Sequence, residues 1–233
     1  MQAYRARWVI TLTGQPVENG VILVHRGKIL RADATTQAPC IDLGNVAIIP
    51  GLVNAHTHLE FSDFSQPIDT SQPFPAWLEA VIASRRENPT PRRDAIRNGL
   101  AESVKAGVTL IGDIATRGWV AEDYAGQFPG GVVFQELLGL SDTRVAEEVT
   151  QAEQHLQQFQ ASHWSAGLSP HAPYTVAPPL FAEALRLAQQ VPTFPVAMHL
   201  AETEAELELL QTGGGPLRDF LQEMGVWLSL IHI

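Results

Sequence analysis

The sequence predicts an α/β fold, a parallel sheet covered by helices and preceded by a small antiparallel β-unit. Three observations predict it. Short apolar runs separated by turn pairs fill residues 4–48. After Pro50-Gly51, short apolar strands alternate with longer helical patterns. Three of those strands run into segments that carry histidine.

In the first stretch, the runs Trp8–Leu12, Val21–Val24 and Ile29–Leu30 are broken at Asn19-Gly20 and Arg26-Gly27, as in a meander of short strands. It holds no catalytic grouping. Beyond residue 50 the expected strands are Leu52–His56, Val108–Asp113, Gly131–Leu137, Ala166–Ser169 and Pro195–His199. The expected helices are Pro75–Arg86, Arg92–Lys105, Thr143–Gln160, Pro179–Gln190 and Glu202–Leu210, with a last one over Leu217–Met224. Alternation of this kind builds a parallel sheet. Periodicity does not separate an open doubly wound sheet from a closed barrel. Gly213-Gly214-Gly215-Pro216 follows a helix rather than a strand, so it reads as a turn and not as a phosphate loop.

Composition narrows the function. The 233 residues are 45% apolar, enough for a sizeable core. A formal charge of −10 and the lack of a basic stripe argue against a nucleic-acid partner. No apolar run is long and charge-free enough to span a bilayer. The opening MQAYRARW has no apolar signal core, and Cys40, the single cysteine, allows no internal disulfide. The expected location is the cytoplasm.

The chemistry sits at strand ends. In Val53-Asn54-Ala55-His56-Thr57-His58-Leu59-Glu60, residues two apart on a strand point the same way, so His56 and His58 project together as a pair of metal ligands. The bland alternative is two histidines in a polar loop. In Pro195-Val196-Ala197-Met198-His199-Leu200-Ala201-Glu202, a strand ends in His199 and a carboxylate follows at a helix start. In a barrel all strand C-termini meet at one rim. There His199 joins the first pair and Glu202 stands by as a proton carrier. A glutamate in a first helical turn also suits the helix dipole with no further role. In Leu168-Ser169-Pro170-His171-Ala172-Pro173-Tyr174-Thr175, His171 lies between two prolines that stiffen the loop. It reads as a ligand, a substrate contact or a structural histidine.

Together the segments IIPGLVNAHTHLE, KAGVTLIGD, LSPHAPYTV and MHLAETEAE resemble the amidohydrolase superfamily. The resemblance is to the branch of adenosylhomocysteine and methylthioadenosine deaminases, aminodeoxyfutalosine deaminase and triazine chlorohydrolases. It covers roughly residues 45–225, in family order. It implies a partial (β/α)8 TIM barrel of about five βα units over residues 50–233. It also implies that residues 1–49 are the N-terminal part of a small β-sandwich. His56, His58 and His199 become metal ligands, Glu202 the proton shuttle and His171 a substrate contact. Relatives with two metals bridge them through a lysine on strand four. Here Lys28 and Lys105 are the only lysines, so one divalent ion is implied, Zn²⁺ first and Fe²⁺ as the alternative. The implied reaction is hydrolytic deamination of an adenosine-like or related heterocyclic amine, a small-molecule substrate. Relatives are commonly oligomers, which implies a homo-oligomer at full length.

The chain also departs from the family pattern. A strand-six histidine and a strand-eight aspartate ligand are not found in register. The chain therefore reads as shortened at its C-terminus and as inactive or weakly active by itself. The run Trp227–Ile233 reads as a misread end, or as a sixth strand ending in His232. Lesser candidates are Glu136 as a ribose or amine contact, Asp113 as a buried structural group, and Phe74 and Trp77 as pocket aromatics. Alternative functions are a cyclic amidase or chlorohydrolase on the same site, and a non-catalytic scaffold.

Overall fold

A computed structural model of the chain describes residues 1–33, 39–64, 66–87, 92–118, 121–124, 126, 128–158, 163–190 and 194–227. Contacts divide the chain into two compact units, Met1–Leu52 and Val53–Ile233.

The first unit contains β1 (Gln2–Arg5), β2 (Trp8–Val9), β3 (Val17–Glu18), β4 (Val21–His25), β5 (Lys28–Asp33), β6 (Cys40–Asp42) and β7 (Ala47–Ile48). They form two small sheets, ordered β5-β4-β1-β6 and β3-β2-β7. The expected antiparallel pairing holds for β4 with β1 and β5, and for β2 with β3. β6 and β7 add in parallel to β1 and β2. His25 pairs with Lys28 across Arg26 (φ 48°) and Gly27 (φ 74°). A two-residue loop with both φ values positive matches the twist of its strands.

The second unit takes in β8 (Leu52–Thr57) from Val53 onward, a short 3₁₀ turn Leu59–Phe61, α1 (Phe74–Glu87) and α2 (Arg92–Lys105). β9 (Val108–Ala115), α3 (Ala121–Tyr124), β10 (Gly130–Leu137), α4 (Asp142–Gln158), β11 (Trp164–Pro170) and α5 (Pro178–Gln190) follow, then α6 (Glu204–Thr212) and α7 (Pro216–Glu223). The four strands lie side by side in chain order. β10 pairs in parallel with both β9 and β11. A doubly wound sheet reverses its strand order at a switch point, whereas a barrel adds each strand beside the last. This is the partial barrel arrangement. The C-terminal halves of β9 and β10 are buried without interruption, as parallel strands covered on both faces must be.

The fifth expected strand requires correction. Pro195–His199 does not form a regular strand. It runs beside β11 through a single parallel bridge, Leu168 with Val196. Two bonds carry that bridge: Leu168 N–H donates to Pro195 O (3.1 Å) and Ala197 N–H to Leu168 O (3.0 Å). Pro195 has no N–H to extend the ladder. The terminal run from residue 228, including His232, lies outside the described residues.

Helices cover the sheet through spaced apolar side chains. Ile96 and Leu100 of α2, Ala152 and Leu156 of α4, and Leu180, Ala184 and Leu187 of α5 pack with Ile111, Val133, Ala166 and Leu168. These are the i, i+3 and i+4 positions of an amphipathic face. A second cluster joins Leu209, Leu217, Phe220 and Leu221 of α6 and α7 to Phe74, Leu78 and Ile82 of α1. No helix among the described residues is long and apolar enough to cross a membrane.

Candidate metal and active site

Backbone bonding sets the strand ends in a staircase. His171 N–H donates to Leu137 O at the end of β10 (3.1 Å), and His199 N–H donates to His171 O (2.9 Å). The loop after β8 is tied in from below. Asp113 of β9 accepts Leu59 N–H (2.9 Å) and the Tyr124 hydroxyl (2.6 Å). Asp113 is thus a buried strut beneath the site. Burial pushes its carboxyl up to about 6, against the pull of those two hydrogen bonds.

Above that floor the histidines converge. The ring centroids of His56 and His199 are 4.8 Å apart, those of His56 and His58 5.4 Å, and those of His58 and His199 5.7 Å. One ligand nitrogen from each lies within 4.8 Å of the others. Glu136, His171 and His199 form an overlapping group under the same limit. All five, with Glu202, line one cavity of about 520 Å³ whose far wall is apolar and includes Phe74, Trp77 and Leu78. Phe74 and Trp77 stack at 5.9 Å.

Hydrogen bonds fix which nitrogens are free. The His171 carbonyl accepts from His199 Nδ1 at 3.0 Å, so Nδ1 carries the proton and Nε2 keeps its lone pair. Thr175 donates its hydroxyl to Ala172 O (3.1 Å) and therefore accepts from His171 Nδ1 (2.7 Å). His171 Nε2 is left as an acceptor toward the cavity. It lies 3.9 Å from Glu136 Oε1. This is not an ion pair near neutral pH. Burial, then His199 and Arg85, hold His171 down at about 3, while burial lifts Glu136 to about 7.

The imidazoles suit a cation. His58 is pushed down to about 3, first by burial and then by His199 and His56. His56 is lowered by burial and His199, with Glu202 pulling the other way. Neutral imidazole is the form that ligates metal. His58 Nδ1 is buried with no hydrogen-bond partner among the described residues, so no neighbouring group holds a proton on this ring. The donor set therefore fits a borderline ion such as zinc or iron.

Several cavity residues carried no signal of their own in the sequence. Arg85, at the end of α1, donates to Glu60 (2.9 Å) and stacks over Phe61 at 4.7 Å. It reads in sequence as a favourable charge in a last helical turn. Tyr174, also a cavity residue, lies three residues after His171, where its ring reads in sequence as an ordinary loop aromatic.

A family model described as the Amidohydrolase family matches residues 47–225. An adenosine deaminase of Helicobacter pylori is 28% identical over 180 residues, which is 76% of this chain and 43% of the relative. A 5-methylthioadenosine/S-adenosylhomocysteine deaminase of Nitratidesulfovibrio vulgaris is 30% identical over 214 residues, 82% of this chain and 46% of the relative. The chain spans about half the length of the curated relatives it matches. Among solved structures, the Helicobacter pylori aminofutalosine deaminase with methylthio-coformycin superposes with a TM-score of 0.81. It is 23% identical and covers 95% of this chain and 56% of its own. Atrazine chlorohydrolase from Arthrobacter aurescens, complexed with zinc, has a TM-score of 0.75 at 20% identity, covering 97% of this chain and 58% of its own. Likeness at these identities shows the shared fold.

Proposed function

Because the chain belongs to the amidohydrolase family, whose model spans residues 47–225, we propose that it supplies the metal ligands and proton carrier of a hydrolytic deaminase. The substrate is an adenosine-like or related heterocyclic amine. One observation carries the reading: donor nitrogens of His56, His58 and His199 lie within 4.8 Å of one another, on a cavity that Glu202 also lines. The relatives named as adenosine and 5-methylthioadenosine/S-adenosylhomocysteine deaminases support the choice of reaction.

His56, His58 and His199 would hold one divalent ion, zinc in the first instance, as in the relatives whose structures contain it. When bound, such an ion lowers the pKa of water from roughly 15.7 to about 7. Glu202 takes the proton from the attacking water and delivers it to the ring nitrogen beside the carbon that bears the amine. Glu202 then takes the second proton of that water from the new C–OH and passes it to the departing amine. Water and the amine are consumed, and the keto product and ammonia form. His171 Nε2 accepts a hydrogen bond from the substrate. Glu136, whose carboxyl burial pushes up, lines the same cavity and makes a polar contact to the substrate. The apolar wall around Phe74 and Trp77 takes the flat face of the heterocycle.

The test is ammonia release by the zinc-loaded protein expressed from its complete reading frame, on a panel of purine nucleosides. Turnover should fall by about 10²–10⁴-fold in Glu202→Gln, the usual loss of a proton-transfer group. Chloride released from a triazine, with no ammonia from any nucleoside, would move the assignment to a chlorohydrolase.

A further inference from the structure

We propose that Glu206 is a positioning residue that fixes the backbone of Glu202 and so aims the proton carrier into the site, an inference that rests on the reading of Glu202 given above.

Glu206 is wholly buried, while Glu202 is exposed four residues earlier. A carboxylate with no water contact needs a reason. Its Oε2 accepts the N–H of Glu202 at 2.8 Å, and its Oε1 has no partner among the described residues. The local sequence Thr203-Glu204-Ala205-Glu206 has the form of a capping box. Half of that box is present: Thr203 caps α6, its hydroxyl accepting from Glu206 N–H at 3.2 Å. In the usual box the glutamate returns to the N–H of the cap residue itself. Here the carboxylate passes over Thr203 and takes the amide of the residue before it, the one whose side chain lines the cavity.

The preceding residue gives an independent reason for such a tie. Ala201 has φ 56°, the left-handed region that residues with a Cβ rarely occupy. The turn from His199 to Glu202 is therefore held in a conformation that the chain does not favour locally. His199 is pinned on one side of the turn by the His171 carbonyl. Glu206 pins the other side. Together the two anchors set the distance between a metal ligand and the proton carrier. A cap alone needs neither the buried carboxylate nor the diverted bond.

The experiment compares wild type, Glu206→Gln and Glu206→Met in the zinc-loaded protein from the complete reading frame. Glutamine keeps an acceptor for the Glu202 amide, and methionine keeps the volume without one. Amide hydrogen exchange at Glu202, zinc content, unfolding midpoint, kcat and KM are read together. In Glu206→Met the Glu202 amide should exchange at least tenfold faster, and kcat should fall by about 10–100-fold, the range for supporting residues around a metal site. KM should stay within about twofold, and zinc content and the unfolding midpoint near wild type. Glu206→Gln should restore both exchange protection and kcat. An unchanged Glu202 exchange rate in Glu206→Met overturns the proposal, as does full kcat with a loosened amide. If the methionine variant does not fold, Glu206→Asp decides: its carboxylate falls short of the amide and should give the same losses, while wild-type behaviour overturns the proposal. The exchange measurement needs no turnover. Exchange that depends on Glu206 in a wild type that releases no ammonia sinks the deaminase reading and leaves the positioning role standing. Active variants with unchanged kcat do the reverse.

Discussion

His199 shows how much one residue's role depends on its neighbours. A single carbonyl, that of His171, accepts both its backbone N–H and its ring Nδ1. That carbonyl sets where the ring is and which nitrogen is free to ligate. Thr175 does the same for His171 through a hydroxyl already committed to Ala172. Thr175→Val removes the acceptor of His171 Nδ1 and nearly preserves the shape. We expect a stability loss of about 1–3 kcal/mol, because both the bond from His171 Nδ1 and the bond to Ala172 O are lost. We also expect weaker substrate binding with zinc content unchanged; a matching loss of zinc would contradict the separation of His171 from the metal ligands. The three converging histidines were legible in the sequence because His56-x-His58 follows from strand alternation and His199 ends an apolar run. Glu206 was not legible as a site residue. A glutamate in a first helical turn is common, and only its burial and the direction of its bond distinguish it.

At the level of elements, β9 holds the site together from below. Asp113 bonds both the turn after β8, through Leu59, and α3, through Tyr124. Asp113→Ala removes the acceptor of both the Leu59 N–H and the Tyr124 hydroxyl and should cost about 2–4 kcal/mol by urea denaturation. Asp113→Asn, which can still accept from Leu59, should cost clearly less; equal losses would mean that the charge and not the hydrogen bonds matters. Beside Asp113, Gly112 abuts the Ala55 carbonyl of β8, so an added Cβ would collide with backbone there. The β-then-α rhythm was readable because β9, β10 and β11 are buried apolar runs separated by amphipathic helices. Two things were not readable. The expected helix at Glu202 starts instead at Glu204, because Thr203 takes the cap. Pro195–His199 shows an apolar run as strand-like as the others, yet only one bridge forms along it. Pairing depends on a neighbour's register, which a run's own composition does not encode.

Across the whole molecule, buried titratable groups set the response to pH. His58 and His171 are held down at about 3 and His155 at about 4, chiefly by burial. Each resists protonation when folded, so each loses stability as pH falls below the unfolded histidine value of about 6.5. Asp113 and Glu136 are lifted by burial to about 6 and about 7, and they act in the opposite sense, losing stability as pH rises from about 4 toward those values. His56 is lowered in the same way and Glu148 raised, so four histidines stand against three carboxyls and the histidines prevail. The metal-free protein should therefore lose about 1.4 kcal/mol per pH unit between about pH 6 and 4.5, seen as a falling urea midpoint; a midpoint that rises on acidification would contradict this balance. The arrangement of strands in chain order carries the site, because each added strand brings its C-terminal end to the same rim. The central claim is that His56, His58 and His199, from two distant segments, hold one ion. X-ray absorption of the zinc-loaded chain tests it most directly. We expect one zinc per chain with about three nitrogen scatterers near 2.0–2.1 Å, and loss of that ion in His56→Asn and His199→Asn alike. Zinc retained unchanged by both variants, or none held by the wild type, would contradict the account.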